Sequence, residues 1–65
     1  MLNWTSVGKN AYEASTTKHD FSLRKEQEEW VVDVFDTTIE DADEAFIESE
    51  SFDSIEEAKA FAQDY

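Results

Sequence analysis

The sequence predicts an α+β fold, an antiparallel β-meander of four or five strands with one C-terminal α-helix packed on one face. Three observations lead to this prediction. Segments of alternating apolar and polar residues recur before Phe52, which is the pattern of half-buried strands. The links between most of them hold only two to four residues, too few for parallel crossover connections. The last twelve residues instead repeat their apolar side chains at helical spacing.

The first three strands alternate in this way and are predicted at Leu2–Val7, Ala11–Thr16 and His19–Arg24. Gly8-Lys9-Asn10 is a tight turn, in which Gly8 or Asn10 can take a positive φ. Thr17-Lys18 forms the second turn, and the polar segment Lys25-Glu26-Gln27-Glu28 forms the third.

Trp30–Phe35 is the strongest strand signal, because both of its faces are largely apolar. Such a strand belongs near the centre of a sheet, with cover on at least part of its second side. A fifth strand is predicted at Ala45–Ser51. The preceding segment, Asp36–Glu44, is either a short helix capped by Thr38 or an acidic loop, and the sequence leaves helix, strand and loop open for residues 37–46.

The C-terminal helix begins with a capping box at Ser54-Ile55-Glu56-Glu57, where Ser54 accepts a backbone hydrogen bond and Glu57 reaches back. This helix must cover one face of the sheet, because a lone small sheet cannot bury the nine aromatic residues. The apolar stripe of the helix consists of Ile55, Ala58, Phe61, Ala62 and Tyr65.

Length and composition restrict the class of protein. Sixty-five residues make one small domain, 1–65, and the absence of Cys excludes disulfides and thiolate metal sites. The chain has no signal-peptide pattern and no apolar run long enough to span a membrane, so a cytoplasmic protein is expected.

Charge is unevenly distributed along the chain. Residues 1–25 hold four bases and two acids, and residues 26–65 hold one base and fifteen acids, which gives net charges of +2 and −14. Fourteen of these acids lie between Glu26 and Glu57, where there is no Lys or Arg. A solvated surface explains any one of these acids, but ordinary surfaces intersperse the two signs.

Catalytic patterns are missing. The only His is His19, which is predicted to be a half-buried strand residue rather than a catalytic base. Asp41-Ala42-Asp43 resembles the start of a calcium-binding EF-hand loop, but Phe46 occupies the position that requires Gly. A glycosidase-like carboxylate pair would arise by chance in so acidic a chain. We therefore expect no enzyme activity, no cofactor and no metal site.

The acidic half instead predicts contact with a basic partner. Carboxylates in rows can compete for the Lys/Arg grooves that bind nucleic acid. Phe46, Phe52 or Trp30 could anchor such a contact, but Trp30 is expected to pack in the core, and the sequence leaves core packing open for Phe46 and Phe52. We expect a nucleic-acid-binding protein as partner, with no direct nucleic-acid or membrane binding, and a monomer or small homo-oligomer. The predicted contact residues are Asp36, Glu40, Asp41, Asp43, Glu44, Glu48, Glu50, Asp53, Glu56 and Glu57.

In size, acidity and lack of catalytic residues the chain resembles the small acidic inhibitors encoded by phages. These include DNA-mimic anti-CRISPR proteins, anti-restriction proteins and uracil-DNA glycosylase inhibitors. The resemblance implies a non-enzymatic inhibitor that blocks the DNA-binding site of a host defence complex, with anti-CRISPR activity as the specific expectation. The alternative is a small regulator that binds transcription machinery, or another protein, through apolar or sheet-edge contacts.

Overall fold

A computed structural model describes residues 2–65, which form a five-stranded antiparallel sheet and two helices. The strand order is β1-β2-β3-β4-β5, so each strand pairs with its neighbours in the chain. The predicted α+β meander with a C-terminal helix is confirmed, with the larger of the two strand numbers. The strands are β1 Thr5–Gly8, β2 Ala11–Ser15, β3 His19–Glu26, β4 Glu29–Asp36 and β5 Phe46–Phe52, and the helices are α1 Ala42–Ala45 and α2 Ile55–Gln63.

The first strand is shorter than the sequence predicted, because pairing with β2 begins only at Thr5. Leu2 and Trp4 nevertheless pack against the hydrophobic core, and the Trp4 and Phe21 ring centroids lie 6.5 Å apart. The alternation of Leu2 and Trp4 therefore reflects burial without strand pairing.

The tight hairpins depend on two residues with positive φ. Asn10, rather than Gly8, takes this conformation in the β1–β2 turn, with a φ of 57°. Asn tolerates it because its short polar side chain can hydrogen-bond locally. In the β3–β4 turn Gln27 has a φ of 55°, and the turn is shorter than predicted because Lys25 still pairs with Trp30.

The core lies between the sheet and α2. Its buried side chains come from β3, β4 and α2, and the two helix residues are Ala, which lets the helix approach the sheet closely. Around them lies a rim of partly buried residues that includes Tyr12, Trp30, Phe52 and Phe61. The buried cluster comprises Phe21, Leu23, Val32, Val34, Ala58 and Ala62.

The second face of β4 is also partly protected, as predicted for a central strand. Val31 is only 6% exposed. Asp33 accepts a hydrogen bond from the Arg24 guanidinium, and the Phe35 ring meets the Phe46 ring edge-on with centroids 5.6 Å apart. Arg24 also lies on this face, which we call the open face because α2 covers the other one.

The ambiguous segment between β4 and β5 contains both a loop and a short helix. Thr38 does not cap that helix; instead, its backbone N–H and hydroxyl both donate to the Asp36 carboxylate, at 2.8 and 2.6 Å. The cap is Asp41, whose side chain accepts from the backbone N–H groups of Asp43 and Glu44. Asp and Thr are both common caps, so the sequence alone did not separate these positions.

Helix α2 begins as predicted. The Ser54 hydroxyl accepts from the Glu57 backbone N–H at 3.2 Å. Within residues 2–65 the Glu57 carboxylate does not accept from the Ser54 N–H, so only half of the predicted capping box forms. Ala58 and Ala62 are buried, whereas Tyr65 lies beyond the helix end with its ring 4.9 Å from that of His19. Neither helix in the described part of the chain is long and apolar enough to cross a membrane.

Candidate acidic interaction surface

The weakly basic and the strongly acidic parts of the chain lie on different strands of the sheet. Because spatial order follows chain order, the weakly basic residues 1–25 form β1, β2 and most of β3. The strongly acidic residues 26–65 form β4, β5 and both helices. One side of the sheet is therefore close to neutral and the other carries nearly all of the negative charge.

The ten predicted contact residues follow the β5 side of the sheet, and we call this set the acidic edge. Three of its members follow β5, between its end and the first turn of α2, two lie on β5, and five lie in the segment from the end of β4 through α1. The seven residues of β5 separate the two end groups by about 20 Å, at about 3.3 Å per residue. The end groups are Asp36, Glu40, Asp41, Asp43 and Glu44 on one side, and Asp53, Glu56 and Glu57 on the other.

The two carboxylates on β5 share the face covered by α2. Glu48 pairs with Val34 and Glu50 pairs with Val32, and both valines are fully buried under the helix. Two residues along one strand face lie about 6.6 Å apart. Glu48 is half-buried and accepts a hydrogen bond of 2.7 Å from the Tyr65 hydroxyl, which fixes its position and raises the pKa of Tyr65.

Two other members of the acidic edge have structural roles. The hydrogen bonds that Asp36 accepts from the Thr38 side chain and backbone, together with a smaller effect of the charge of His19, lower the pKa of Asp36. Asp41 caps α1. Glu40, Asp43 and Glu44 are exposed. Accepting hydrogen bonds does not remove their negative charge, so Asp36 and Asp41 still contribute to the electric field of the acidic edge.

Among residues 2–65, no member of the acidic edge forms an ion pair with Lys or Arg, and the only base opposite a member is His19, which pairs with Asp36 across β3 and β4. Within residues 2–65 both ion pairs involve Arg24, which bonds Asp33 and lies 3.4 Å from Glu26. The only base in the acidic half, Lys59, lies over the Tyr12 ring, 5.4 Å from its centroid. Most of the acidic edge therefore presents negative charge to solvent without a Lys or Arg partner, and Asp36 and Glu48 are half-buried.

The prediction omitted three acids that belong to the same surface. Glu26, Glu28 and Glu29 form the β3–β4 hairpin, and Glu29 precedes Trp30, which pairs with Phe52. Asp53 follows Phe52, so the hairpin lies at the same end of the sheet as Asp53 and the start of α2. The antiparallel meander itself implied this, because the turn before β4 and the end of β5 must meet.

The three aromatic anchors proposed from sequence differ in burial. Trp30 is half-buried against Tyr12, and Phe52 is half-buried against Phe61, so both belong to the core rim. Phe46 is 46% exposed at the start of β5. It is therefore the only one of the three that offers a substantial apolar surface beside the acidic edge.

The His and Asp residues considered from sequence as a catalytic base or as metal ligands have contacts typical of structural residues. His19 is half-buried on β3 beside Phe21, with ring centroids 6.2 Å apart, as expected for a strand histidine. Among residues 2–65, no three His, Asp or Glu residues are grouped closely enough to hold a metal ion. Asp41, the first residue of the calcium-like pattern, is instead a helix cap.

Comparison with known proteins assigns no family to this chain. No family model matches it, and neither the curated proteins nor the solved structures contain a significant match.

Proposed function

We propose that this protein is a non-enzymatic inhibitor that presents nucleic-acid-like charge to a basic site on a host defence or DNA-processing complex. Anti-CRISPR activity is the specific form we propose. The observation that carries the proposal is the acidic edge, ten carboxylates along the β5 side of the sheet, none of which forms an ion pair with Lys or Arg among residues 2–65. A single-sign field of this kind costs stability through self-repulsion, which a binding role would explain.

The spacing of charge supports mimicry of a nucleic-acid strand. The backbone of duplex DNA carries one charge per about 3.4 Å of each strand along the axis. Glu48 and Glu50, about 6.6 Å apart on one strand face, match about two such steps. The end groups extend the row over about 20 Å. The strand ladder and the Tyr65 hydrogen bond hold the row in place, so binding would require little ordering of the protein.

Capture from a host lysate tests the proposal. The immobilised protein is expected to retain a protein that binds DNA or RNA and to release it in a salt gradient, because exposed charge pairs are screened by salt. The double variant Glu48→Lys/Glu50→Lys is expected to lose this partner. The variant Glu13→Lys/Asp20→Lys changes the net charge by the same amount on β2 and on the central strand β3, away from β5, and it should retain the partner.

The result that contradicts the proposal is recovery of only salt-insensitive partners, or of none that handle nucleic acid. Equal loss of the partner in both double variants would also contradict it, because the effect would then follow net charge and not the acidic edge.

One observation favours the alternative, a regulator that binds through apolar contacts. Phe46, Ile47 and Ile39 are 46%, 43% and 38% exposed in the β4–β5 connection and the start of β5. Exposed large apolar side chains are common at interface hot spots when they are aromatic. If Phe46→Ala abolishes binding while Glu48→Lys/Glu50→Lys preserves it, the regulator is the correct function.

A further inference from the structure

Strand β5 has a free edge suited to pairing. It stands last in the strand order and pairs only with β4 among residues 2–65. The opposite edge strand, β1, has only four residues and an irregular register between Ser6 and Gly8. Helix α2 packs on one face of the sheet, over Val32 and Val34, and Ser49, Glu50 and Ser51 of β5 are exposed. A free strand of seven residues is a template for another strand.

The alternation of hydrogen-bonded and non-hydrogen-bonded pairs in the sheet shows which backbone groups of β5 are free. The two-residue turn between Glu26 and Glu29 makes these residues a hydrogen-bonded pair, and alternate residues of β4 then bond towards opposite neighbours. The bond from the Thr37 N–H to the Lys18 carbonyl agrees with odd-numbered residues pointing to β3. Even-numbered residues of β4 therefore bond to β5.

The same alternation applies to β5 itself. Its even-numbered residues Glu48, Glu50 and Phe52 face Val34, Val32 and Trp30 and use their backbone groups in that pairing. Ser49 and Ser51 consequently direct their N–H and C=O groups away from the sheet. Both serines are exposed, and their short side chains leave room for an approaching chain.

The side chains beside this edge determine which strand it can accept. Glu48 and Glu50 lie on the same face and flank the free backbone of Ser49. A second copy of β5 in antiparallel pairing centred on Ser49 would place Glu48 opposite Glu50 of the copy, and like charges directly opposite are destabilising. A strand with Lys or Arg at alternate positions would instead place its bases beside both carboxylates.

We propose that β5 binds an extended basic segment of the partner, with Lys or Arg at every second position, as a sixth antiparallel strand of the sheet. Backbone bonds to Ser49 and Ser51 supply the pairing, and Glu48 and Glu50 select the basic side chains. This inference rests on the proposed function, since it specifies how the acidic edge recognises its basic partner.

The test compares Ser49→Pro with Ser49→Ala. Proline removes the outward N–H and is tolerated on edge strands, whereas alanine keeps the N–H and removes the same hydroxyl. The probe is a short synthetic peptide in which Lys and Thr alternate, with a peptide of the same composition in two blocks as control. We expect the alternating peptide to bind the alanine variant at least tenfold more tightly than the proline variant, which corresponds to about 1.4 kcal/mol. It should also protect the Ser49 and Ser51 amides of the wild-type protein from hydrogen exchange.

A synthetic chain N-methylated at Ser49 removes the same N–H without changing the side chain, and it replaces the proline variant if that variant fails to fold. Equal binding to the variants with and without the N–H overturns strand addition, while salt-dependent partner capture would still support the proposed function. A wild-type dimer abolished by loss of the Ser49 N–H would also overturn the proposal and assign the edge to a second copy.

Discussion

Replacing Arg24 by Met tests how the fold tolerates its own negative charge. The Arg24 side chain lies on the open face, bonded to Asp33 and 3.4 Å from Glu26, with side-chain exposures of 39%, 19% and 55% for the three residues. Burial acts to lower the pKa of Arg24, but its hydrogen bond to Asp33 and the charge of that carboxylate outweigh burial and raise it. Removing the guanidinium leaves Asp33 without its partner.

The expected cost of Arg24→Met is about 1–2 kcal/mol of unfolding free energy. Hydrogen bonds to charged groups contribute about 1.5–3 kcal/mol, and fully exposed ion pairs contribute about 0.2–1 kcal/mol. The Arg24–Asp33 pair lies between these cases because only Asp33 is well shielded. In a domain of this size each kcal/mol shifts the melting temperature by about 4–8 °C.

Urea denaturation measured by the fluorescence of Trp4 and Trp30 provides the assay. The double variant Arg24→Met/Asp33→Asn should be less destabilised than the sum of the two single variants, because it removes the uncompensated charge. Lys18→Met is the matched control, since Lys18 carries the same charge in an exposed turn and forms no ion pair among residues 2–65. A cost for Arg24→Met within about 0.3 kcal/mol of that control would mean that the Arg24–Asp33 bond does not stabilise the fold.

Three further predictions concern the core, the helix cap and the acidic edge. Leu23→Ala should lower the unfolding free energy by about 2–5 kcal/mol, since Leu23 is fully buried, whereas Ser51→Ala should change it by less than about 0.5 kcal/mol; urea denaturation of both variants checks this. Ser54→Ala should cost about 1 kcal/mol in the same assay, and no loss would mean that its hydroxyl does not cap α2. Glu48→Gln should lower the pKa of Tyr65 towards its ordinary value in an ultraviolet absorbance titration, because the carboxylate raises it. Since the folded pKa of Tyr65 exceeds its unfolded value, the stability contributed by this bond is complete below about pH 10 and is lost as the pH rises through the folded pKa. An unchanged Tyr65 titration in Glu48→Gln would mean that the Glu48 carboxylate does not raise the pKa of Tyr65.

Regular periodicity made most of the fold predictable from the sequence. The alternation of His19–Arg24 and the apolar run Trp30–Phe35 locate β3 and β4 within two residues of their ends. The Ser54 cap and the apolar stripe after it located α2. These elements were accessible because each has a local signal that agrees with the burial it finds in the folded chain.

Three features of the structure depend on tertiary contacts and have no local signal in the sequence. Leu2 alternates like a strand residue but packs on the core outside the sheet. The register shift beside Val34 and Phe35 leaves Ile47 as an extra residue in β5, which no local pattern indicates. Glu28 in the β3–β4 turn joins the acidic surface only because the strands are antiparallel, so that contribution follows from topology and not from its neighbours in sequence.

The most direct test of the central claim is the salt dependence of binding to the partner recovered from the host. With purified components, we expect the affinity to fall steeply as the sodium chloride concentration rises, and we expect duplex DNA or RNA to displace the protein from its partner. A dissociation constant that does not change with salt, or a stable complex in which the partner holds this protein and nucleic acid together, would contradict charge mimicry by the acidic edge.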